Sequence, residues 1–561
     1  MVGLRGRLFS SLQGYRAGWF RSDAIAGLTV WAVLVPEALA YATIAGVSPV
    51  VGLYAAPGAL ILYAAFGSSK HMGTGPMAAT AALSAAAVAQ FATQGSGNFI
   101  ALTVALAITT GIVAAVAGLL RLGFLASVIS APVLKGFIVG LALAIIIGQL
   151  PKLLGVESGD GNFFEKIWDL LNKLGSTNGW TLLVGLVSLL IVVGFKRFAP
   201  VIPGSLVAVG FGILVVVLFG MEQKGVEIVG RINGGLPSLG VPDVALGDYI
   251  SLAPSAVGIA LVGFAEGLGA AKTYAAKNHY EVDANRELLG IGAANLGAGF
   301  SGGMVVNGSL SKTAVNGGAG AKTQLSGLVA AALTIVTLLF LTGLFESLPE
   351  ATLGAIVIAA LIELVYIPSL VGFYRVWTQR LGSIYGPAAR PDFIAALAAL
   401  LGVLILDTLP GLFIGIAVSL LLLLYRASRP NVAVLGRVPG VSVLRVESGL
   451  FFANADHVRE EIRGHIEGGD VDAFVLDAQT MPFVNVTAAE MLNRLRYELA
   501  GRGIPLLLAR DVGQVRDVLR QSEATDDTGL HPVFPTVEEA VLAATALGSG
   551  DSSQAGSPRK P

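Results

Sequence analysis

Three charged residues stand in segments apolar enough that a charge there needs a reason. Glu37 follows a proline in VPEALAYATIAGVSP (35–49), Glu266 sits in LVGFAEGLGAAKTYAAKN (261–278), and Lys312 lies in FSGGMVVNGSLSKTAVNGG (300–318). A charge held at the centre of a membrane costs about 2.5 to 3.5 kcal/mol on insertion scales, so each glutamate is expected to carry a proton part of the time or to face a watery cavity. That is the chemistry of proton coupling, with Glu37 the leading site and Glu266 its competitor. The lysine sits in a different setting. Gly302, Gly303 and Gly308 interrupt the chain before a short helix predicted to start near Ser309 and to run out at Gly317 and Gly318, and Gly73, Gly75 and Pro76 interrupt it before another predicted to start near Met77. A helix start offers unpaired N–H groups and the positive end of a dipole. Two facing starts would cradle an anion, and Lys312 in the first turn of the second would add a full positive charge.

Such residues need a membrane around them, and the composition supplies one. Of 561 residues 54% are hydrophobic and 13% charged, where soluble domains carry about a quarter charged. From Asp23 to Tyr425 apolar stretches recur at the length a helix needs to cross a bilayer, about fourteen in all. The two interrupted segments fall third and tenth, equivalent positions if seven spans are repeated with inverted topology, and each half opens with a helix bearing one glutamate. Paired Gly/Pro-interrupted segments of this kind point to a midplane binding site in a transporter. Lys70, Arg121, Lys135, Lys196, Arg197, Lys272, Lys277, Arg286, Lys322, Arg375, Arg380 and Arg390 fall in alternate loops, which places both termini in the cytoplasm.

After Arg429 the pattern changes. VSVLRVES, DAFVLDAQ and IPLLLAR read as strands, and HVREEIRGHIE as a helix burying Val458, Ile462 and Ile466, so a small α/β domain follows the membrane part. The expected organisation is a cytoplasmic segment over 1–22, a membrane domain over 23–428, a linker over 429–440, a soluble domain over 441–547 and a polar tail over 548–561. With no cysteine, five scattered histidines and a net charge of −1, neither a metal, a cofactor nor a nucleic-acid partner is expected, and no nucleophile–base pair suggests an enzyme.

PEALAYATIAGVSPVVGLYAA, through Pro36, Ala40, Tyr41, Ala42, Gly46, Pro49, Gly52, Leu53 and Tyr54, resembles the signature of the sulfate-permease (SulP) anion transporters; Glu37 replaces their common glutamine. GSLSKTAVNGGAGAKTQLSG resembles their tenth span, where a serine followed by a basic residue borders the anion; these are Ser311 and Lys312. ESGLFFANADHVREEI with VLDAQTMPFVNVTAAEMLNRL resembles their cytoplasmic STAS domain. The resemblance implies an α-helical membrane fold of about fourteen segments in a seven-plus-seven inverted repeat, like that of the uracil carriers. Spans one to four and eight to eleven form a core domain and the rest a gate domain. It further implies a secondary transporter in the inner (plasma) membrane, a homodimer, and a cytoplasmic protein partner for the STAS domain. The substrate site is expected at Tyr41, Gly75, Pro76, Met77, Ala78, Ser309, Leu310, Ser311 and Lys312. Sulfate, bicarbonate and dicarboxylates are within the family's range, and a passive anion channel is the alternative. An apolar rim of Met77, Ala78 and Val305 inclines the reading toward a fumarate- or succinate-like dicarboxylate carried together with protons.

Overall fold

The computed structural model describes residues 8–548 except 128, 160, 200–201, 233, 377, 380–381, 383–384, 407, 468–470 and 524–532; the tail expected over 548–561 lies, but for Gly548, outside the described residues. Two compact units are present, Met1–Phe373 with Ala395–Ala417, and Tyr374–Ile394 with Val418–Pro561.

Each apolar stretch read from the sequence contains a helix. The first half runs α1 (Phe20–Ile44), α2 (Pro49–Phe66), α3 (Ala78–Val88), α4 (Gly97–Leu119), α5 (Ala131–Leu154), α7 (Gly179–Phe198) and α8 (Gly204–Phe219). The second runs α9 (Leu246–Lys277), α10 (Ala284–Phe300), α11 (Leu310–Gly318), α12 (Leu325–Val336), α13 (Glu350–Leu361), α15 (Pro391–Ile405) and α16 (Thr408–Ser428). Among the described residues, two shorter helices fall where only loops were expected, α6 (Phe163–Lys173) and α14 (Ile367–Arg375). Local capping fixes several starts: Ser96 accepts from the Phe99 N–H at 3.1 Å, Asn178 from that of Trp180 at 2.9 Å and Asp283 from that of Asn285 at 2.8 Å.

Small residues let these helices pack backbone to backbone, as bilayer packing favours. A Cβ at Gly292 of α10 would stand 2.6 Å from the Ala115 nitrogen of α4, and one at Gly297 would strike the Gly58 carbonyl of α2. Gly297→Ala is therefore expected to lower stability by about 1 to 3 kcal/mol through overpacking. Thermal unfolding in detergent should record an earlier transition; an unchanged one would mean that α2 and α10 can move apart freely.

In the second unit the sheet order is β3-β4-β5-β6-β7, from β3 (Val432–Val438), β4 (Gly440–Val446), β5 (Val471–Asp477), β6 (Leu506–Ala509) and β7 (Val533–Phe534). The first pair is antiparallel and the rest parallel. The stretch 429–440, expected as a linker, thus holds a strand: its two prolines precede and follow the paired residues rather than interrupting them. Alternation sorts the core. Phe474, Leu476, Leu506 and Leu508 pack with Val458 and Ile462 of α17 (Ala455–Glu467), Leu492 and Leu495 of α18 (Val486–Ala500) and Leu519 of α19 (Gly513–Glu523). Ala473, Val475 and Leu507 meet Ala540 and Ala544 of α20 (Val537–Gly548) on the other face.

Asp477, fully buried at the end of β5, accepts from Arg445 Nε at 2.7 Å and from Arg510 Nε at 3.1 Å. Burial alone would raise its carboxyl, but the hydrogen bonds from Arg510 and Arg445 prevail and hold it below the usual carboxylate range. A depressed acid contributes stability above its unfolded value of about 3.9, and that contribution is lost as pH falls through the folded value. Asp477→Asn should accordingly destabilise this domain at neutral pH by about 3 kcal/mol, the lower end for a broken buried pair because both arginines are partly exposed. The gap to the wild-type chain in a pH-dependent melt should close only below about pH 4.

Candidate functional site

Two three-residue strands, β1 (Gly73–Gly75) and β2 (Asn307–Ser309), pair antiparallel, with Gly73 opposite Ser309, Thr74 opposite Gly308 and Gly75 opposite Asn307. This ribbon sets the starts of α3 and α11 side by side. Glycine is required for the close approach: a Cβ at Gly73 would stand 2.8 Å from the Lys312 Cβ, and Gly75 has φ 157° with Leu34 Cδ1 2.8 Å from where its Cβ would lie. Hydrogen bonds anchor the ribbon from behind. Gly73 N–H donates to Thr313 Oγ1 at 3.1 Å, Asn316 Nδ2 to the His71 carbonyl at 2.9 Å, and Gln324 Nε2 to the carbonyls of Ser69 and Met72 at 2.9 and 3.0 Å.

The two helix starts differ. Met77, in extended conformation, gives α3 no side-chain cap, so its first N–H groups are left for another acceptor. Ser309 caps α11 by accepting from the Lys312 N–H at 3.3 Å, and its hydroxyl lies 2.9 Å from that of Ser311. Met77 is half-buried, Ala78 buried, and Leu310 and Ser311 exposed.

Lys312 is the centre of the arrangement, at 1% exposure. Its ammonium donates to the Pro76 carbonyl at 2.8 Å, lies 2.8 Å from Glu37 Oε2 and stands 5.4 Å from the centre of the Tyr41 ring. The contact with Glu37 is an ion pair without the alignment of a hydrogen bond, since that oxygen has no hydrogen-bond partner. Both acidic and aromatic partners come from α1, one turn apart, and Pro36 within that helix withholds the N–H that residue 32 would otherwise receive. Glu37, Tyr41 and the residues from Gly75 to Ala78 and Ser309 to Lys312 are thus brought together, and the carboxylate and ammonium expected to act separately form one buried pair.

Glu266 is not part of that pair. It is half-buried on α9, with Oε2 shielded and without a hydrogen-bond partner. Nearby Asn307 is 1% exposed, and neither atom of its amide has a partner. Its Cγ lies 3.0 Å from where a Cβ on Gly263 would stand, one turn from Glu266. Sequence reading passed over Asn307 because Asn-Gly is the usual chemistry of a turn; its signal was a polar side chain between apolar Val306 and the second interrupted helix. The carbonyl of Pro76 was likewise hidden, because a backbone acceptor leaves no residue type to read.

Residues 20–382 match the sulfate permease family and residues 433–540 the STAS domain. The chain is 36% identical to a probable sulfate transporter of Mycobacterium tuberculosis over 549 residues, covering 94% of this chain and 96% of that one. Its fold is similar to that of the murine Solute Carrier 26 family member A9 anion transporter in the inward-facing state, with a TM-score of 0.87 at 24% identity over 97% of this chain and 94% of that one. The transmembrane domain of the cyanobacterial bicarbonate transporter BicA matches 72% of this chain and 98% of its own, with a TM-score of 0.60 at 23% identity. With the paired half-helices in a helical membrane domain and an α/β domain following it in sequence, the chain belongs to the sulfate permease family of anion transporters.

Proposed function

We propose that the protein is a proton-coupled symporter of a small dianion, held between the starts of α3 and α11, in which Glu37 and the substrate compete for Lys312. The Lys312–Glu37 ion pair carries this reading. While Glu37 is ionised the lysine is neutralised from within. A proton on Glu37 releases the ammonium to an incoming anion, so proton and anion load together and leave together. Lys312 then supplies one positive charge and the two helix starts about half a charge each. The sum suits a doubly charged anion. An ion pair buried this deeply also suits a carrier whose core domain moves against its gate domain better than an open channel.

Between dianions, a C4 dicarboxylate is favoured by the apolar surface beside the site, which comes from Met77 and Leu310; Val305, expected on the rim, is fully buried in packed protein. Sulfate is the second reading, favoured by the Mycobacterium tuberculosis relative's name. Glu266 is the alternative proton site, supported by its shielded and unpartnered oxygen. Uptake of labelled fumarate, succinate, sulfate and bicarbonate into proteoliposomes, with and without an inward proton gradient, separates these readings. Uptake that ignores the gradient for every anion would sink the coupling.

The alternation of charged loops supports an inner (plasma) membrane orientation with both termini and the STAS domain in the cytoplasm. As the native chain has no cysteine, single introduced cysteines report without background. One placed between residues 92 and 98 should react with an impermeant maleimide from outside, and one replacing Lys70 should not. Equal labelling of both from the same side would break the alternation of spans on which this topology rests.

A further inference from the structure

We propose that α6 and α14 are interfacial helices that lie along the two surfaces of the membrane, each pressing an apolar stripe among the lipid headgroups and first acyl carbons of its leaflet. Each follows the fifth span of its repeat and leads to the sixth, α6 between α5 and α7, α14 between α13 and α15. Inverted repetition puts the pair on opposite faces of the bilayer.

The stripes have one spacing. Phe164, Trp168 and Leu171 stand at i, i+4 and i+7 in α6, and Ile367, Val371 and Tyr374 do so in α14. At 3.6 residues per turn these positions share one side of a helix. A soluble loop would fold that side inward, yet the six residues are 53%, 69%, 55%, 57%, 39% and 48% exposed in that order. In α6 only Leu170 is buried. Glu165, Lys166, Asp169, Asn172 and Lys173 occupy the other side, where Asp169 pairs with Lys173 at 2.8 Å and Glu165 closes a capping box with Asn162. A strongly sided helix with a paired polar face and a tryptophan on its apolar face is built to lie in an interface.

Lipid is the occupant that fits, because the chain runs from this stripe into a span whose own apolar side chains are exposed. Directly after α6 come Trp180, Leu183, Leu186 and Leu190 on α7, all exposed and apolar along a span. Tyr374, with the Arg390 guanidinium 4.0 Å over its ring, and Trp168 are the side-chain types that settle at headgroup depth. The acids and bases of α6 balance, two of each, so apolar burial rather than attraction to anionic lipid holds it. This inference uses the membrane fold alone; failure of the proposed coupling or substrate would leave it intact.

The test places a nitroxide on single cysteines in the full-length chain, reconstituted in phosphatidylcholine with and without phosphatidylglycerol. Phe164→Cys, Trp168→Cys, Leu171→Cys, Ile367→Cys and Val371→Cys are compared with Glu165→Cys, Asp169→Cys, Asn172→Cys and Ser369→Cys. Elution of each variant as the wild-type chain does controls for folding. The stripe positions should collide severalfold more with dissolved oxygen, which enters lipid, and severalfold less with a water-soluble nickel complex, in both lipid mixtures. Equal nickel collision at stripe and polar positions would put the helices in water and overturn the proposal. Stripe positions shielded from both probes would mean that protein, such as a second copy of the chain, covers them, and would overturn it equally.

Discussion

Lys312→Ala is expected to weaken anion binding by roughly tenfold to 150-fold, the equivalent of a charge-assisted contact worth about 1.5 to 3 kcal/mol. The loss has a second part, because the substitution leaves Glu37 buried with no counter-ion. Removing one partner of a buried pair costs about 3 to 5 kcal/mol, an amount that uptake of a proton by the glutamate would offset. The variant should therefore melt early at alkaline pH and recover as the medium is acidified. The double variant Glu37→Gln with Lys312→Met separates the two parts. It removes both charges at once, so it should regain stability at every pH while still failing to bind the anion. A Lys312→Ala chain that bound and melted as the wild type does would move the anion elsewhere.

Glu37→Gln should have the opposite effect on binding while removing the coupling of transport to a proton gradient. The wild-type lysine is shared between an internal carboxylate and the substrate, so apparent affinity should rise as the pH is lowered and Glu37 is neutralised. With glutamine the competitor is gone. At mildly alkaline pH the variant should bind the anion about tenfold more tightly, if the internal pair is worth about 1.4 kcal/mol, and its affinity should no longer follow pH. It should also lose accumulation driven by a proton gradient and retain only exchange of anion for anion. Gradient-driven accumulation surviving in Glu37→Gln would transfer the coupling role to Glu266, whose own variant, Glu266→Gln, would then be the one to fail.

Much of this fold can be read along the chain because a bilayer imposes a length on each apolar run. The interrupted helices were legible for a related reason: Gly73, Gly75 and Pro76, and again Gly302, Gly303 and Gly308, break runs that a membrane would otherwise keep helical. The sulfate-permease resemblance at Pro36 to Tyr54 pointed to the transporter family and that of ESGLFFANADHVREEI and VLDAQTMPFVNVTAAEMLNRL to the STAS domain, and the family matches bear both out. What stayed hidden depended on partners distant in sequence. Nothing near Glu37 announces Lys312, since the pair exists only because the β1–β2 ribbon brings α11 against α1. The ribbon itself has no pattern, being two strands of three residues rich in glycine. The apolar positions of α6 are interleaved with charges and form no run, so they read as loop; β3 was masked by the prolines around it.

If one proton enters Glu37 whenever an anion takes Lys312, proton uptake upon binding measures that event directly. Purified chain in weakly buffered detergent solution, titrated with the transported anion beside a pH indicator, should take up close to one proton per anion at alkaline pH, and Glu37→Gln should take up none. Binding without proton uptake in the wild-type chain, or uptake persisting in Glu37→Gln, would contradict the account.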